Sequence, residues 1–155
     1  MYEIKSPNQI ILGSKYTIFL GGSIEMGTAE NWQTRLTKEL AEYDVVLLNP
    51  RRDDWDSSWI QSIHNAQFKE QVTWELDAMD CADLIVFYFD PSTKSPITLM
   101  ELGLFATLSN VIVCCPDGFW RKGNVEIVCE RYDVPLCNTF DELVSMTKTF
   151  IKDQK

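Results

Sequence analysis

The segment Leu84 to Asp90 (LIVFYFD), followed by a polar turn and then by Ser95 to Gly103 (SPITLMELG), decides the fold of this chain. An unbroken apolar run is typical of a strand buried on both faces of a parallel sheet, and the second segment predicts a helix. In open α/β sheets, ligands bind at the carboxyl ends of the strands, where loops lead into helices. Glu101, the acidic residue of this apolar helix, therefore lies where a ligand would be met. It is either solvated on the outer face of the helix or held in a cleft for chemistry.

The same alternation of strand and helix patterns extends in both directions. Strands are predicted at 16–20, 44–48, 83–89, 111–115 and 134–137, and helices at 29–43, 60–81, 98–108, 124–131 and 140–152. Since the strands are apolar throughout, they indicate a parallel sheet covered on both faces. We predict an α/β fold: one domain, residues 16–155, with a doubly wound parallel five-stranded sheet in a flavodoxin-like three-layer sandwich. Residues 1–15 are predicted to form an irregular N-terminal arm.

Composition limits the classes of partner. The chain has 155 residues, 45% of them hydrophobic, which suits one globular domain with a proper core. A net charge of -9 argues against nucleic-acid polymers and anionic membranes as main partners, whereas a small nucleoside or nucleotide needs only local complementarity. No run reaches the ~18 apolar residues of a membrane span, and the polar start is not that of a signal peptide. We therefore expect a cytoplasmic protein.

Cysteine and histidine contents exclude further classes of site. The five cysteines are odd in number and form no Cys-x-x-Cys pair, so buried reduced thiols are expected rather than a disulfide framework or a zinc site. His64 is the only histidine. A Ser-His catalytic triad and a multi-histidine metal site are therefore not expected.

The loops after the first four predicted strands gather on one edge of a parallel sheet. The first of these loops carries Gly21, Gly22 and Ser23. Two glycines allow the backbone to approach a ligand, and a helix N-terminus favours anionic or polar oxygens. The same residues also fit an ordinary tight turn. Because the full Gly-x-Gly-x-x-Gly spacing is missing, a dinucleotide site is not expected.

Two other groups of side chains have both a functional and an ordinary interpretation. Glu75 follows Trp74 inside the long predicted helix, and an apolar setting there would favour its protonated form and a general-acid role. Most carboxylates near a helix end are simply solvated. The loop after the second strand carries Arg51, Arg52, Trp55 and Trp59, which suit phosphate binding and base stacking, or a surface loop whose tryptophans pack on the core.

Four segments, in order, carry a family resemblance: Phe19 to Ile24 (FLGGSI), Trp74-Glu75, Ala82-Asp83 and Ser95 to Gly103. In these four segments and their order, the chain resembles the nucleoside 2-deoxyribosyltransferase-like proteins, and the resemblance extends over roughly residues 16–151. The superfamily also includes deoxynucleoside-monophosphate N-glycosidases. The Glu-Leu-Gly segment and its spacing from the preceding strand are the specific part of the pattern.

The resemblance implies roles for individual residues. Glu101 matches the nucleophile that attacks the anomeric carbon of the sugar, and Glu75 matches the acid, usually an aspartate, that assists protonation of the departing base. Asn124 matches a residue that reaches into a neighbouring subunit's site, which implies a homo-oligomer, a dimer or a hexamer. Further substrate contacts are implied at Phe19, Gly21, Gly22, Ser23, Asp90 and Ser95, the last at the 5′ end of the sugar. Many members carry a tyrosine at the position of Phe19.

The implied activity is cleavage or transfer at the N-glycosidic bond of (deoxy)nucleosides through a covalent glycosyl-Glu101 intermediate, with a free nucleobase as second substrate. No metal or redox cofactor is required. One alternative is hydrolysis of nucleoside 5′-monophosphates, for which phosphate contacts are available from Arg51, Arg52, Arg121 and Lys122. A second alternative is a non-catalytic nucleotide-binding protein of the same fold, which the phenylalanine at position 19 allows.

Overall fold

The computed structural model describes residues 1–24 and 30–154. In these residues six strands and five helices follow one another along the chain. The strands are β1 (Tyr2–Lys5), β2 (Tyr16–Gly22), β3 (Val45–Asn49), β4 (Leu84–Tyr88), β5 (Val111–Cys114) and β6 (Leu136–Cys137). The helices are α1 (Trp32–Glu39), α2 (Ala66–Cys81), α3 (Pro96–Phe105), α4 (Lys122–Arg131) and α5 (Phe140–Asp153).

All pairings among the described strands are parallel, in the order β1-β3-β2-β4-β5-β6. The central strand β2 lies between β3 and β4, with Ile18 opposite Leu47 on one side and Leu84 on the other. The chain therefore winds outward from β2 in both directions, which confirms the doubly wound α/β prediction.

The predicted count of five strands was wrong, because β1 was missed. Tyr2–Lys5 pairs with β3 alone and forms the edge of the sheet, and only Ile4 of its residues is buried. An edge strand with one buried side chain lacks the continuous apolar run by which the other strands were recognised. The N-terminal arm, predicted to be irregular, therefore begins with a strand.

Two helices begin later than their apolar spacing predicted. The helix predicted from residue 60 begins at Ala66, since the side chain of Asn65 accepts a hydrogen bond from the Phe68 N–H and caps the helix. The helix predicted from residue 29 begins at Trp32 behind the cap residue Asn31, and residue 29 itself lies outside the described residues.

Side chains from the two faces of the sheet form two separate cores. One core joins the sheet to α2, α3 and α4 through residues such as Phe19, Phe87, Trp74, Leu102 and Val125. The other joins it to α1 and α5 through residues such as Ile18, Leu20, Trp32, Leu36 and Leu143. This is the predicted three-layer arrangement. No helix in residues 1–24 and 30–154 has the length and apolarity of a membrane span.

Candidate active site

The candidate site lies at the carboxyl ends of β2 and β4, where the direction of winding reverses. The segment after β2 leads toward α1 on one face of the sheet, whereas β4 leads into α3 on the other. Diverging connections leave a crevice between neighbouring strand ends, which is the usual ligand position in this architecture. Ser23 follows β2 here, and Asp90 follows β4.

Three buried hydroxyl groups form a hydrogen-bonded cluster at this point. Ser23 Oγ lies 2.5 Å from Ser95 Oγ, and Thr93 Oγ1 lies 2.9 Å from Ser23 Oγ and 2.7 Å from Ser95 Oγ. Ser23 Oγ also accepts a hydrogen bond of 2.8 Å from the Asp90 N–H. The cluster joins the end of β2 to the turn before α3, so the predicted residues Ser23, Asp90 and Ser95 come together.

Ser95 has a backbone conformation that serine seldom adopts. Its φ of 44° and ψ of 51° are left-handed, and Pro96 follows at the first position of α3. As the residue before a helix, a serine usually caps the helix with its side chain, but no such bond forms here. Since Ser95 Oγ contacts Ser23 and Thr93 instead, the strained turn presents this hydroxyl to the sheet edge.

The Asp90 carboxylate is buried and saturated with hydrogen bonds. Its Oδ1 accepts from the N–H and the hydroxyl of Ser92 at 2.8 and 2.7 Å, and its Oδ2 accepts from the Glu30 N–H at 3.0 Å. Burial raises the pKa of Asp90, but the hydrogen bonds outweigh it and leave the pKa below its ordinary value. Asp90 is therefore an ionised structural anchor of the turn.

The carboxyl group of Glu101 differs from that of Asp90 in its hydrogen bonds and in the direction of its pKa shift. Its side chain is 7% exposed on the inward face of α3, and no described residue donates a hydrogen bond to it in the structure. Burial, and secondarily the charge of Glu75, raise its pKa to about 8. Of the two interpretations of the sequence, the structure therefore favours a carboxyl group held in a cleft over one solvated on the outer face.

Glu75 is the second carboxyl group of this pair and projects from α2. It keeps some access to solvent, yet burial raises its pKa to about 7. Gln71, one helical turn earlier, donates a hydrogen bond of 2.8 Å from Nε2 to Glu75 Oε1, which acts in the opposite direction and lowers the pKa. Its neighbour Trp74 is buried and donates its indole N–H to the Asn8 carbonyl, so Trp74 anchors α2 beside the site.

The two glutamates act electrostatically as a pair. The charge of Glu75 adds to the effect of burial on Glu101 and disfavours its ionisation. With pKa values raised to about 7 and about 8, both carboxyl groups retain protons at a pH where ordinary glutamates are ionised. One carboxylic acid and one carboxylate side by side can supply a general acid and a nucleophile at the same time.

Packing alone accounts for the two glycines of β2. A Cβ on Gly21 would lie 2.6 Å from the Phe87 ring, and one on Gly22, whose φ is +145°, would lie 2.4 Å from the Tyr88 carbonyl oxygen. The close approach of β2 and β4 therefore requires glycine with or without a ligand.

The other two predicted residues are Phe19 and Asn124. Phe19 is fully buried in the core beneath the site. Asn124 is exposed on the first turn of α4 and lines a groove of about 320 Å³ between α3 and α4. Leu99, Leu102, Trp120 and Val128 are among the other residues that line this groove.

Of the four basic residues considered for phosphate, two are already engaged. Arg52 forms ion pairs with Asp54 and Glu70, and Lys122 forms one with Asp117. Arg121 is exposed and stacks on the Trp120 ring.

Arg51, like Arg121, forms no ion pair among the described residues. It is half-buried, it has no carboxylate partner among the described residues, and burial lowers its pKa. Its Nη1 donates to Gln33 Oε1 at 3.3 Å, while Gln33 Nε2 is buried without an acceptor among the described residues. These donors favour an oxygen-bearing anionic group nearby.

Sequence reasoning missed Gln71, Ser6 and Thr93. Gln71 precedes Glu75 by four residues on one helix, a spacing at which side chains meet, so the sequence did hold a signal for it. Ser6 donates to Gln71 from 65 positions away, and nothing local predicts that contact. Groups of three or more metal-ligating side chains are absent from the part of the chain that the structure describes.

Comparison with known proteins assigns the family. The family model described as nucleoside 2-deoxyribosyltransferase like matches residues 15–119, which is more than half of the chain. The matched region contains β2 to β5 together with Glu75, Asp90, Ser95 and Glu101. No curated protein matches the chain.

Among solved structures, the chain is similar to the crystal structure of a conserved protein from Enterococcus faecalis V583. The two share 13% sequence identity with a TM-score of 0.64, over 92% of this chain and 100% of that one. At this identity the likeness concerns the fold, and it agrees with the α/β architecture described above. The chain belongs to the nucleoside 2-deoxyribosyltransferase-like family.

Proposed function

We propose that this member of the nucleoside 2-deoxyribosyltransferase-like family cleaves the N-glycosidic bond of (deoxy)nucleosides and transfers the 2-deoxyribosyl group to a second base. The observation that supports the proposal is the pair of carboxyl groups on α2 and α3, Glu75 and Glu101, which interact electrostatically. Burial raises the pKa of both, to about 7 and about 8, so each can carry a proton near neutral pH. The resemblance to the family implies the role of nucleophile for Glu101 and that of acid for Glu75.

In the first step Glu101, as the carboxylate, attacks C1′ of the sugar while the C1′–N bond breaks. The bonding electrons leave with the base, and Glu75 transfers its proton to a nitrogen of that base. The product is an ester between Glu101 and C1′. Glu101 has the higher pKa of the pair before substrate binds, so the positive charge that develops on the sugar must favour its ionised form.

In the second step a free base attacks C1′ and the ester C1′–O bond breaks. Glu101 regains its negative charge, and Glu75 takes up the proton that the incoming base loses. Two displacements at one carbon give overall retention of configuration. When water attacks instead, the outcome is hydrolysis.

A second candidate is hydrolysis of nucleoside 5′-monophosphates. It is favoured by the open guanidinium of Arg51 and the unpaired amide of Gln33, which together supply donors and no negative charge. A non-catalytic nucleotide-binding protein is the third candidate, since buried Phe19 has no hydroxyl with which to position the nucleophile.

We also propose that the active form is a homo-oligomer in which Asn124 serves a neighbouring site. The outer surfaces of α3 and α4 support this arrangement, because Ile97, Met100, Leu104 and Ile127 are each about half exposed or more. Mixing Glu101→Ala with Asn124→Ala chains is expected to restore part of the activity that each lacks. An active monomer in sedimentation measurements would refute the shared site.

The deciding experiment is chromatography of reactions with 2′-deoxyinosine or thymidine, with and without adenine, beside the 5′-monophosphates. Deoxyadenosine formed only with adenine identifies a transferase, and free base released without an acceptor identifies a hydrolase. The better of the two substrate forms shows whether a phosphate is required. Thermal stabilisation by the ligands without any product would support the non-catalytic alternative.

A further inference from the structure

We infer that Gln71 is a positioning residue that determines which oxygen of Glu75 carries the proton, with Ser6 and the Pro50 carbonyl fixing the orientation of the Gln71 amide. The inference rests on the proposed function for its catalytic meaning. The geometry that carries it is independent of any substrate.

The side-chain amide of Gln71 forms three hydrogen bonds within the protein, two from its nitrogen and one to its oxygen. Its Nε2 donates to the Pro50 carbonyl oxygen and to Glu75 Oε1, both at 2.8 Å. Its Oε1 accepts a hydrogen bond of 2.5 Å from the Ser6 hydroxyl. Gln71 is 4% exposed and Ser6 is 3% exposed, so water does not compete for these contacts.

These partners allow one orientation of the amide. A backbone carbonyl such as that of Pro50 can only accept, so the group facing it must be the NH₂ of Gln71. The second hydrogen of that NH₂ then points at Glu75 Oε1, which must accept it. A proton on Oε1 would compete with this hydrogen bond, so protonated Glu75 carries its proton on Oε2. Gln71 thereby leaves the acidic oxygen free to meet the departing base.

The other groups around Glu75 leave this arrangement intact. Glu101 faces it from α3 and is the titratable neighbour with which it interacts. Ser6 from the arm and Pro50 from the loop after β3 bring no charge. Lys5 is paired with Asp53, and Arg51 donates to Gln33, so neither cation is bound to Glu75.

The test is a titration of Glu75 in Gln71→Met, which preserves side-chain length and removes the donor. Carbon-13 NMR of labelled glutamate side chains follows the carboxyl group, and Glu75→Gln identifies its signal. Loss of one hydrogen bond to a carboxylate is expected to raise the pKa of Glu75 by about one pH unit. Ser6→Ala, which removes only the outer contact, is expected to shift it less in the same direction. An unchanged titration in both variants would overturn the inference.

Kinetics gives a second readout. The alkaline limb of the kcat/KM profile, where the acid loses its proton, is expected to move upward in Gln71→Met, with about tenfold lower activity at the optimum. In a Glu75→Gln background the same substitution is expected to change activity little, because its effect passes through Glu75. Equal losses in both backgrounds would show a merely structural role.

A matched control is Thr147→Val. Thr147 is fully buried on α5 and its hydroxyl donates to the Leu143 carbonyl, so this variant also loses one buried hydrogen bond, far from Glu75. It is expected to leave the Glu75 titration unchanged. If wild-type protein releases no product, the proposed function fails, while the NMR titration still decides the role of Gln71.

Discussion

Asp90 and Glu101 are residues of nearly equal exposure, 8% and 7%, on the two sides of the turn between β4 and α3, but the carboxyl group of Glu101 is the more deeply enclosed by protein. Asp90 accepts three hydrogen bonds and its pKa is lowered. Glu101 receives none from the described residues and its pKa is raised to about 8. The exposure of a residue therefore does not tell how its carboxyl group ionises. The two carboxyl groups differ both in how strongly the protein desolvates them and in whether the fold supplies donors that satisfy the charge.

The contrast separates a structural from a functional use of the same chemistry. The turn uses its backbone and side-chain donors on Asp90, and this holds the turn in shape. At Glu101 no described group donates a hydrogen bond and burial raises the pKa, which is the pattern expected where a substrate or a transition state completes the site.

The largest effect is expected on activity in Glu101→Gln. Loss of the nucleophile should lower kcat/KM at least about a thousandfold, which corresponds to roughly 4 kcal/mol. The melting temperature should stay level or rise, because a costly buried carboxyl group has been removed. The measurement pairs steady-state kinetics with calorimetry. Near-normal activity would contradict the assignment of the nucleophile.

The pH dependence of stability should follow next in size. Because Glu101 and Glu75 have raised folded-state pKa values, the folded chain binds more protons than the unfolded chain between about pH 4.5 and 8. Stability is therefore expected to fall as pH rises through this window, by on the order of 2–4 kcal/mol. Urea unfolding at several pH values measures the slope. Glu101→Gln should flatten it, and parallel curves for the two chains would refute the raised pKa.

Asp90→Ala tests the other side of the comparison. The loss of three hydrogen bonds to a buried carboxylate should cost about 2–3 kcal/mol, or roughly 4–12 °C in melting temperature. The stability that Asp90 contributes is present above its unfolded pKa and is lost as pH falls through the lowered folded pKa, opposite in sign to Glu101. Asp80→Ala, an exposed carboxylate on α2, is the control and should change stability by no more than about 0.5 kcal/mol.

The smallest effect is expected in Ser92→Ala. This variant removes the hydroxyl donor to Asp90 Oδ1 but keeps the backbone N–H that binds the same oxygen. A loss of about 1 kcal/mol, measured by urea unfolding, fits one replaceable hydrogen bond. A loss as large as that of Asp90→Ala would show that the Ser92 hydroxyl, and not the set of three donors, holds the turn.

The sequence predicted the central part of the fold. Buried strands such as Leu84–Tyr88 are recognisable in the sequence because both of their faces are apolar. The parallel topology then predicts that Ser23, Ser95 and Glu101 lie near one edge of the sheet. The edge strand Tyr2–Lys5 was not predicted, because three of its four side chains are at least partly exposed and the strand has no continuous apolar run. The apolar spacing predicts a helix from residue 60, but the helix begins only after the cap residue Asn65. Ile60 and Ile63, which contribute to that spacing, are exposed in the segment before the helix.

The electrostatics of the site were less accessible from the sequence. That Glu75 lies beside a tryptophan suggested an apolar setting, but its coupling to Glu101 depends on how α2 and α3 pack, which no local pattern contains. The same holds for Asp90, whose lowered pKa depends on donors from Ser92 and from distant Glu30. The roles of Phe19 and Asn124 remain predictions.

The contact of Ser6 with Gln71 has a consequence for biosynthesis. Ser6 leaves the ribosome early, but its partner follows 65 positions later, which at ordinary rates of translation is a delay of roughly 3–13 s. β3, with which β1 pairs, is complete at residue 49, but the side-chain partner of Ser6 on α2 is still missing at that point. The hydrogen bond that orients the Gln71 amide therefore forms only after α2 has been made, and a nascent chain stalled before residue 71 would hold Ser6 without its side-chain partner.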